Sequence, residues 1–139
     1  MSWKEKHTDW NLTTNNIFNN DNKYIDNYNY IGNYIVCSVK VIDHQFFFTE
    51  FNNSNPILVR NNTYIFDLEH PSNRNHELLI SRNPSNGIIN NLTINGNPGY
   101  PGSFISFYIG DSRPATLYYY CKRHVGMGGE IEILNNQKK

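Results

Sequence analysis

Alanine is almost missing from this 139-residue chain: Ala115 is the only one, while asparagine is the commonest residue. We attribute this bias to AT-rich coding rather than to a folding need. No stretch approaches the roughly 18 apolar residues of a membrane span. No apolar run follows Met1-Ser2-Trp3-Lys4-Glu5-Lys6 that would serve as a secretory signal. The expectation is therefore no membrane segment, and a location in the cytosol or within an assembly such as a virion. Excess charge of either sign is missing as well. Twelve basic and twelve acidic residues give a formal net charge of zero and a sequence pI of about 7.0, so nothing in the balance calls for nucleic acid or an anionic lipid surface. The candidate site described below lacks a nearby Ser, an acid pair or a phosphate-cradling glycine loop, which leaves hydrolysis and nucleotide chemistry without support and predicts a protein with no catalytic residues. The triplets Asn61-Asn62-Thr63 and Asn91-Leu92-Thr93 read as coincidences of the asparagine bias rather than as glycosylation sites.

At 16.2 kDa the chain is one domain's worth of protein, able to bury a core without disulfide support. Residues 1–32 are polar, rich in Asn, Asp and Tyr, and show no sustained period. They read as an N-terminal arm, but one carrying Trp3, Trp10, Ile17, Phe18 and several tyrosines, too many apolar groups for a purely solvated tail. Two readings stay open: the arm lies against its own domain, or it clasps an assembly neighbour. Residues 33–139 form the domain proper. From Tyr34 the chain is a succession of short β-type runs divided by Asn, Gly, Pro and Ser clusters: Tyr34 to Ile42, Gln45 to Phe51, Ile57 to Arg60, Thr63 to Glu69, His76 to Ser81, Ile88 to Ile94, Phe104 to Ile109, Thr116 to Cys121 and Glu130 to Leu134. No helix is expected, and the pattern predicts an all-β antiparallel sandwich.

Strand parity then assigns faces. Ile35, Cys37, Val39 and Val41 share one side of their run, Leu117, Tyr119 and Cys121 share one side of theirs, and His76 falls on the same side as Leu78 and Ile80. Cys121 and His76 are thus both predicted to point inward. After Cys121 comes Lys122-Arg123-His124-Val125-Gly126-Met127-Gly128-Gly129, which puts a thiolate, an imidazole and a thioether on one short segment. That donor trio, completed by a second imidazole from His76, suits copper: thiolate and imidazole hold both Cu(I) and Cu(II), and a Met bonds weakly. Gly126, Gly128 and Gly129 are expected to let the loop fold back over Cys121.

Cys-x2-His-x2-Met closing an all-β domain, with the upstream Asn73-x-x-His76 run, resembles the cupredoxin family, the plastocyanin-like blue copper proteins. Tyr64-Ile65-Phe66-Asp67-Leu68-Glu69 with Pro71-Ser72-Asn73, followed by Leu117-Tyr118-Tyr119-Tyr120-Cys121, is similar to short cupredoxin-like domains of marine microbial and viral proteins. The resemblance spans residues 33 to 135. It implies a Greek-key sandwich holding one copper ion on His76, Cys121, His124 and an axial Met127, and one-electron transfer to a redox partner protein. Two features differ from the plastocyanin-like pattern. Met127 follows His124 more closely, and Glu77 stands where the carriers have a small or amide residue bridging the two ligand loops. Three other readings are kept. The sandwich is a scaffold for a virion or surface component, with copper structural or absent. Alternatively, Cys37 and Cys121 form an immunoglobulin-like disulfide, with Tyr119 as its tyrosine corner; otherwise Cys37 is a buried free thiol. His70, in a turn before Pro71, is a possible extra ligand, and His7 and His44 have no partner that the sequence identifies.

Overall fold

The computed structural model describes residues 34–52 and 55–135, together with the backbone of 12–15 and 28–31. Two sheets face each other. The larger contains β1 (Leu12–Asn15), β2 (Tyr28–Ile31), β3 (Tyr34–Ile42), β6 (Asn62–Asp67), β9 (Phe104–Ile109) and β8 (Thr93–Asn95) in that spatial order, with β4 (Gln45–Phe48) paired to β3. The smaller runs β5 (Ile57–Val59), β11 (His124–Leu134), β10 (Thr116–Cys121), β7 (Leu78–Ser81). Among the described residues the only helical pieces are single 3-10 turns at Thr49–Phe51 and Pro71–Asn73.

The expected all-β sandwich is therefore what the described residues form. Two of its ladders are parallel, β3 with β6 and β5 with β11. Parallel neighbours need a crossover; between β3 and β6 the chain passes through β5, in the other sheet, before returning. β2 pairs antiparallel with β3 and β1 with β2, so this part of the N-terminal region extends the chain's own sheet. The rest of the expected arm, and its side chains, lie outside the described residues.

The core follows strand parity. Ile35, Cys37 and Val39 of β3 interleave with Tyr64 and Phe66 of β6, Phe107 of β9, and Leu117, Tyr119 and Cys121 of β10 in one buried cluster. Val36 and Ile65 point to the other face of their sheet and pack with Tyr34 and Phe104 in a small second cluster. Aromatic rings meet both across the two sheets and within the larger one. Phe48 stands edge-on to Tyr119 at 4.8 Å, and Phe66 edge-on to Phe107 at 5.3 Å, separations at which such pairs attract beyond their buried area.

Several expected runs come out differently: Gln45 to Phe51 is a strand only to Phe48 and ends in a 3-10 turn, and His76 to Ser81 is a strand only from Leu78. Ile88 to Ile94 contributes only the start of β8; Ile89 is buried, but Ile88 and Ile94 are exposed. Glu130 to Leu134 is the far end of a strand that begins at His124, because the segment after Cys121 is a hairpin rather than a loop.

Candidate metal centre

The hairpin is very short. Cys121 pairs directly with His124 across a turn of Lys122 and Arg123, and pairing resumes at Tyr120 with Gly128. Val125, Gly126 and Met127 are therefore extra on one strand, a bulge that bends the chain and redirects its side chains. His124 stays on the rim, Val125 is fully exposed, and Met127 is turned down into the core cluster.

The three glycines expected to confer freedom have different roles. Only Gly126 takes a left-handed conformation, at φ 85°, with open space around it. A methyl group on Gly128 would lie 2.5 Å from the carbonyl oxygen of Tyr119, and one on Gly129 would lie 2.6 Å from the Tyr119 hydroxyl. Gly128 is thus needed for close backbone approach in the ladder, and Gly129 leaves room for the Tyr119 and Asn55 side chains, rather than either serving flexibility.

His76 is delivered from the other side. Ser72 Oγ accepts from the Val41 N–H at 2.8 Å, and Asn73 Nδ2 donates to the Val39 carbonyl at 2.8 Å, fastening the 3-10 turn to β3. The His76 N–H then donates to the Asn73 carbonyl at 3.0 Å. Asn73 is wholly buried, which explains the Asn73-x-x-His76 spacing: a buried amide anchors the turn that aims the imidazole. Glu77 joins the two donor segments. Its carbonyl accepts from the Lys122 N–H at 2.9 Å, and its carboxylate lies 3.5 Å from Arg123 Nε. The bridging expected of a small or amide residue is thus made by the backbone of Glu77, with an exposed ion pair added. Sequence reading missed this because the hydrogen bond is independent of side-chain type.

These supports bring His76, Cys121 and His124 together, with their ligand atoms all within 4.8 Å of one another. Cys121 Sγ lies 3.3 Å from His124 Nδ1 and 3.8 Å from His76 Nδ1. The rings are tilted by 42° with centroids 4.7 Å apart. Met127 lines a pocket of about 290 Å³ shared with both histidines. Burial in the first place, then the neighbouring His124 and His44, hold the His76 pKa below its ordinary value, which favours the neutral, metal-binding form of the imidazole.

The donor set can be tested against a metal by distance. Bonds of about 2.0 Å to imidazole nitrogen and about 2.3 Å to thiolate sulfur put those atoms about 3.6 Å apart at trigonal or tetrahedral angles. The two S···N separations bracket that value, so the thiolate suits a shared metal with either imidazole.

The other candidates separate from this group. Cys37 and Cys121 are both free thiols, which removes the disulfide reading, and the Tyr119 hydroxyl donates to Asn55 Oδ1 at 2.7 Å. His70 caps the 3-10 turn, its Nδ1 2.8 Å from Ser72 Oγ, and is not in the cluster. His44, left without a partner by the sequence, lines the same pocket as His76 and His124. His7 lies outside the described residues. No helix among the described residues is long and apolar enough to cross a membrane.

No family model matches the chain, and no curated protein matches it. Among solved structures it is similar to reduced rusticyanin at 16% identity, covering 75% of this chain and 81% of that one with a TM-score of 0.44. Rusticyanin from Thiobacillus ferrooxidans matches at 17% identity over 75% and 79% of the two chains, with a TM-score of 0.42. A third structure, described as the copper protein rusticyanin, matches at 17% over 75% and 80%, with a TM-score of 0.43.

Proposed function

We propose that the chain is a mononuclear copper-binding protein of the cupredoxin type and that it carries single electrons. His76 and His124 would hold the metal through Nδ1, Cys121 through its thiolate, and Met127 as the weak axial donor. The observation that carries this reading is the buried, unpaired Cys121 sulfur with two imidazole Nδ1 atoms 3.3 and 3.8 Å away. A structural zinc site recruits Cys and His alone, whereas two imidazoles and one thiolate beside a thioether is the set suited to copper.

Copper supplies a one-electron couple; the protein's own residues supply the rest. The segments before β7 and after β10 are joined by the Lys122 N–H to Glu77 carbonyl hydrogen bond, which would help hold His76 and Cys121 in place when copper is bound. Cys121 and Met127 expose very little surface, and the exposed ring of His124 offers the shortest way out for an electron to a redox partner. Four protein donors leave no position for substrate, which favours a carrier over an oxygenase.

Adding Cu(II) to the purified metal-free protein is expected to produce intense visible absorption from thiolate-to-copper charge transfer, lost in Cys121→Ser. A colourless wild-type protein would overturn the reading. Reversible oxidation and reduction of the coloured form tests the electron-carrier half separately.

A further inference from the structure

A third histidine faces the same pocket. Asp43 and His44 make the two-residue turn between β3 and β4, with Ile42 paired to Gln45. Both take positive φ, 51° and 62°, the mirror-image turn that suits hairpins and that Asn-Gly or Asp-Gly normally fills. Glycine would adopt φ 62° without steric cost, and histidine is among the side chains that tolerate it. The His44 side chain is not idle in space, because it lines the pocket of about 290 Å³ with His76, His124 and Met127. The hairpin is also tied to the bulge, since Gln45 Nε2 donates to the Gly126 carbonyl at 3.3 Å. The turn and the tether together hold an exposed imidazole beside a pocket, open to solvent, that both ligand imidazoles line.

We propose that His44 is a transit ligand for this site: together with the exposed His124 it takes up copper at the mouth before the inner donors close on it, and it assists departure by the same route. The inference rests on the copper reading above. No electron is exchanged in this step. The incoming Cu(I) exchanges donors of its carrier for imidazole nitrogens, and the Cys121 thiol releases its proton to solvent as the Cys121 sulfur becomes a ligand. A donor used only in transit lowers the barrier in both directions and leaves the end state alone, so its removal slows uptake and release by the same factor while affinity and spectrum stay unchanged.

The test uses the full chain, wild type against His44→Gly and His44→Asn, both compatible with the left-handed turn. Metal-free protein is mixed with Cu(I) presented as its bicinchoninate complex. Uptake is followed by the fading of that complex, and the product is then oxidised and its thiolate-to-copper band recorded. Uptake at least about tenfold slower in both variants with the wild-type band at the end point is expected, and millimolar free imidazole is expected to restore the rate in His44→Gly. Rates within twofold of wild type overturn the proposal while leaving the copper site standing. A band that is shifted or weakened in the variants also overturns it, by making His44 part of the finished site. A wild-type protein that never develops the band defeats the copper reading and this inference with it.

Discussion

Cys37 and Cys121 are the same side chain at nearly the same depth, 0% and 4% exposed, and both sit on the inward face of a strand in one continuous core cluster. Their surroundings differ completely. Cys37 lies in the middle of β3, paired in register with Phe66, and burial first, then the negative charge of Glu50, push its thiol pKa well up. Cys121 lies at the last position of β10, where the sheets part and two imidazole nitrogens reach its sulfur. It also lines an open groove of about 730 Å³ with Tyr120, Lys122 and His124. Depth alone therefore says little about a cysteine. An apolar shell surrounds one thiol, and two imidazole nitrogens at a strand end stand beside the other.

The comparison breaks most directly by mutation. Cys121→Ser is expected to remove the thiolate-to-copper band entirely. Cys37→Ser is expected to leave the band intact and to cost about 1–3 kcal/mol in urea unfolding, the cost of burying a hydroxyl without a good partner. A Cys37 variant that loses the band would mean that the two thiols are not functionally distinct.

Thiol labelling sharpens the contrast without mutation. In the metal-free wild type a disulfide reagent at pH 8 is expected to consume one thiol per chain through local opening of the short β10–β11 hairpin. The second should react only as the whole domain unfolds, slower by about a thousandfold or more. Cys121→Ser should delete the fast phase and copper should suppress it. Equal rates for the two thiols would contradict the difference in environment.

How much of this contrast was written in the sequence depends on which contact is asked about. Parity along Thr116 to Cys121 put Leu117, Tyr119 and Cys121 on one buried face, and the same count in β3 buried Cys37; a period of two needs no knowledge of the rest of the chain. The inward pointing of His76 came from that count too, although β7 begins only at Leu78 and the imidazole is aimed by Asn73 instead. What stayed hidden depends on partners distant in sequence. The bulge at Val125 to Met127 follows from pairing Gly128 with Tyr120, and glycine-rich sequence looks the same whether the glycines are needed for φ or for clearance. His44 was unreadable for the same reason: nothing local reveals that a turn between two strands hangs over a site built from residues 76 to 127.

The glycines give a prediction of intermediate size. Gly128→Ala places a methyl group against the rigid Tyr119 carbonyl, a backbone atom that moves only if the ladder moves. The expected loss is about 1–3 kcal/mol, typical of overpacking, and it should be accompanied by weaker copper binding because the register after the bulge sets Met127. Gly126→Ala meets no atom and bears only the left-handed strain of about 1–2 kcal/mol. Chemical denaturation with copper titration of both variants separates them: a Gly126 variant that loses copper more readily than the Gly128 variant would reverse the assigned roles.

The smallest effect concerns Tyr119, which belongs to both regions. Two residues before Cys121 on the same strand face, its ring packs on Phe48 and Phe46 in the core, and its hydroxyl donates to Asn55 Oδ1. Burial raises its pKa above the ordinary phenol value, as burial raises that of Cys37. Tyr119→Phe forfeits one hydrogen bond and should cost about 1 kcal/mol near neutral pH. The pH dependence follows from the direction of the shift. Above about pH 10 the unfolded chain loses this phenol proton while the folded chain keeps it, so the unfolded state binds fewer protons and stability falls as pH rises toward the folded pKa. Below about pH 10 that contribution is fully present. The phenylalanine variant lacks the slope, so the gap between the two proteins, in favour of the wild type at pH 8, should narrow in urea unfolding at pH 10.8. A gap that widens instead would mean that the phenol is ionised more readily in the fold than out of it, and that the apolar surroundings assigned to this residue are wrong.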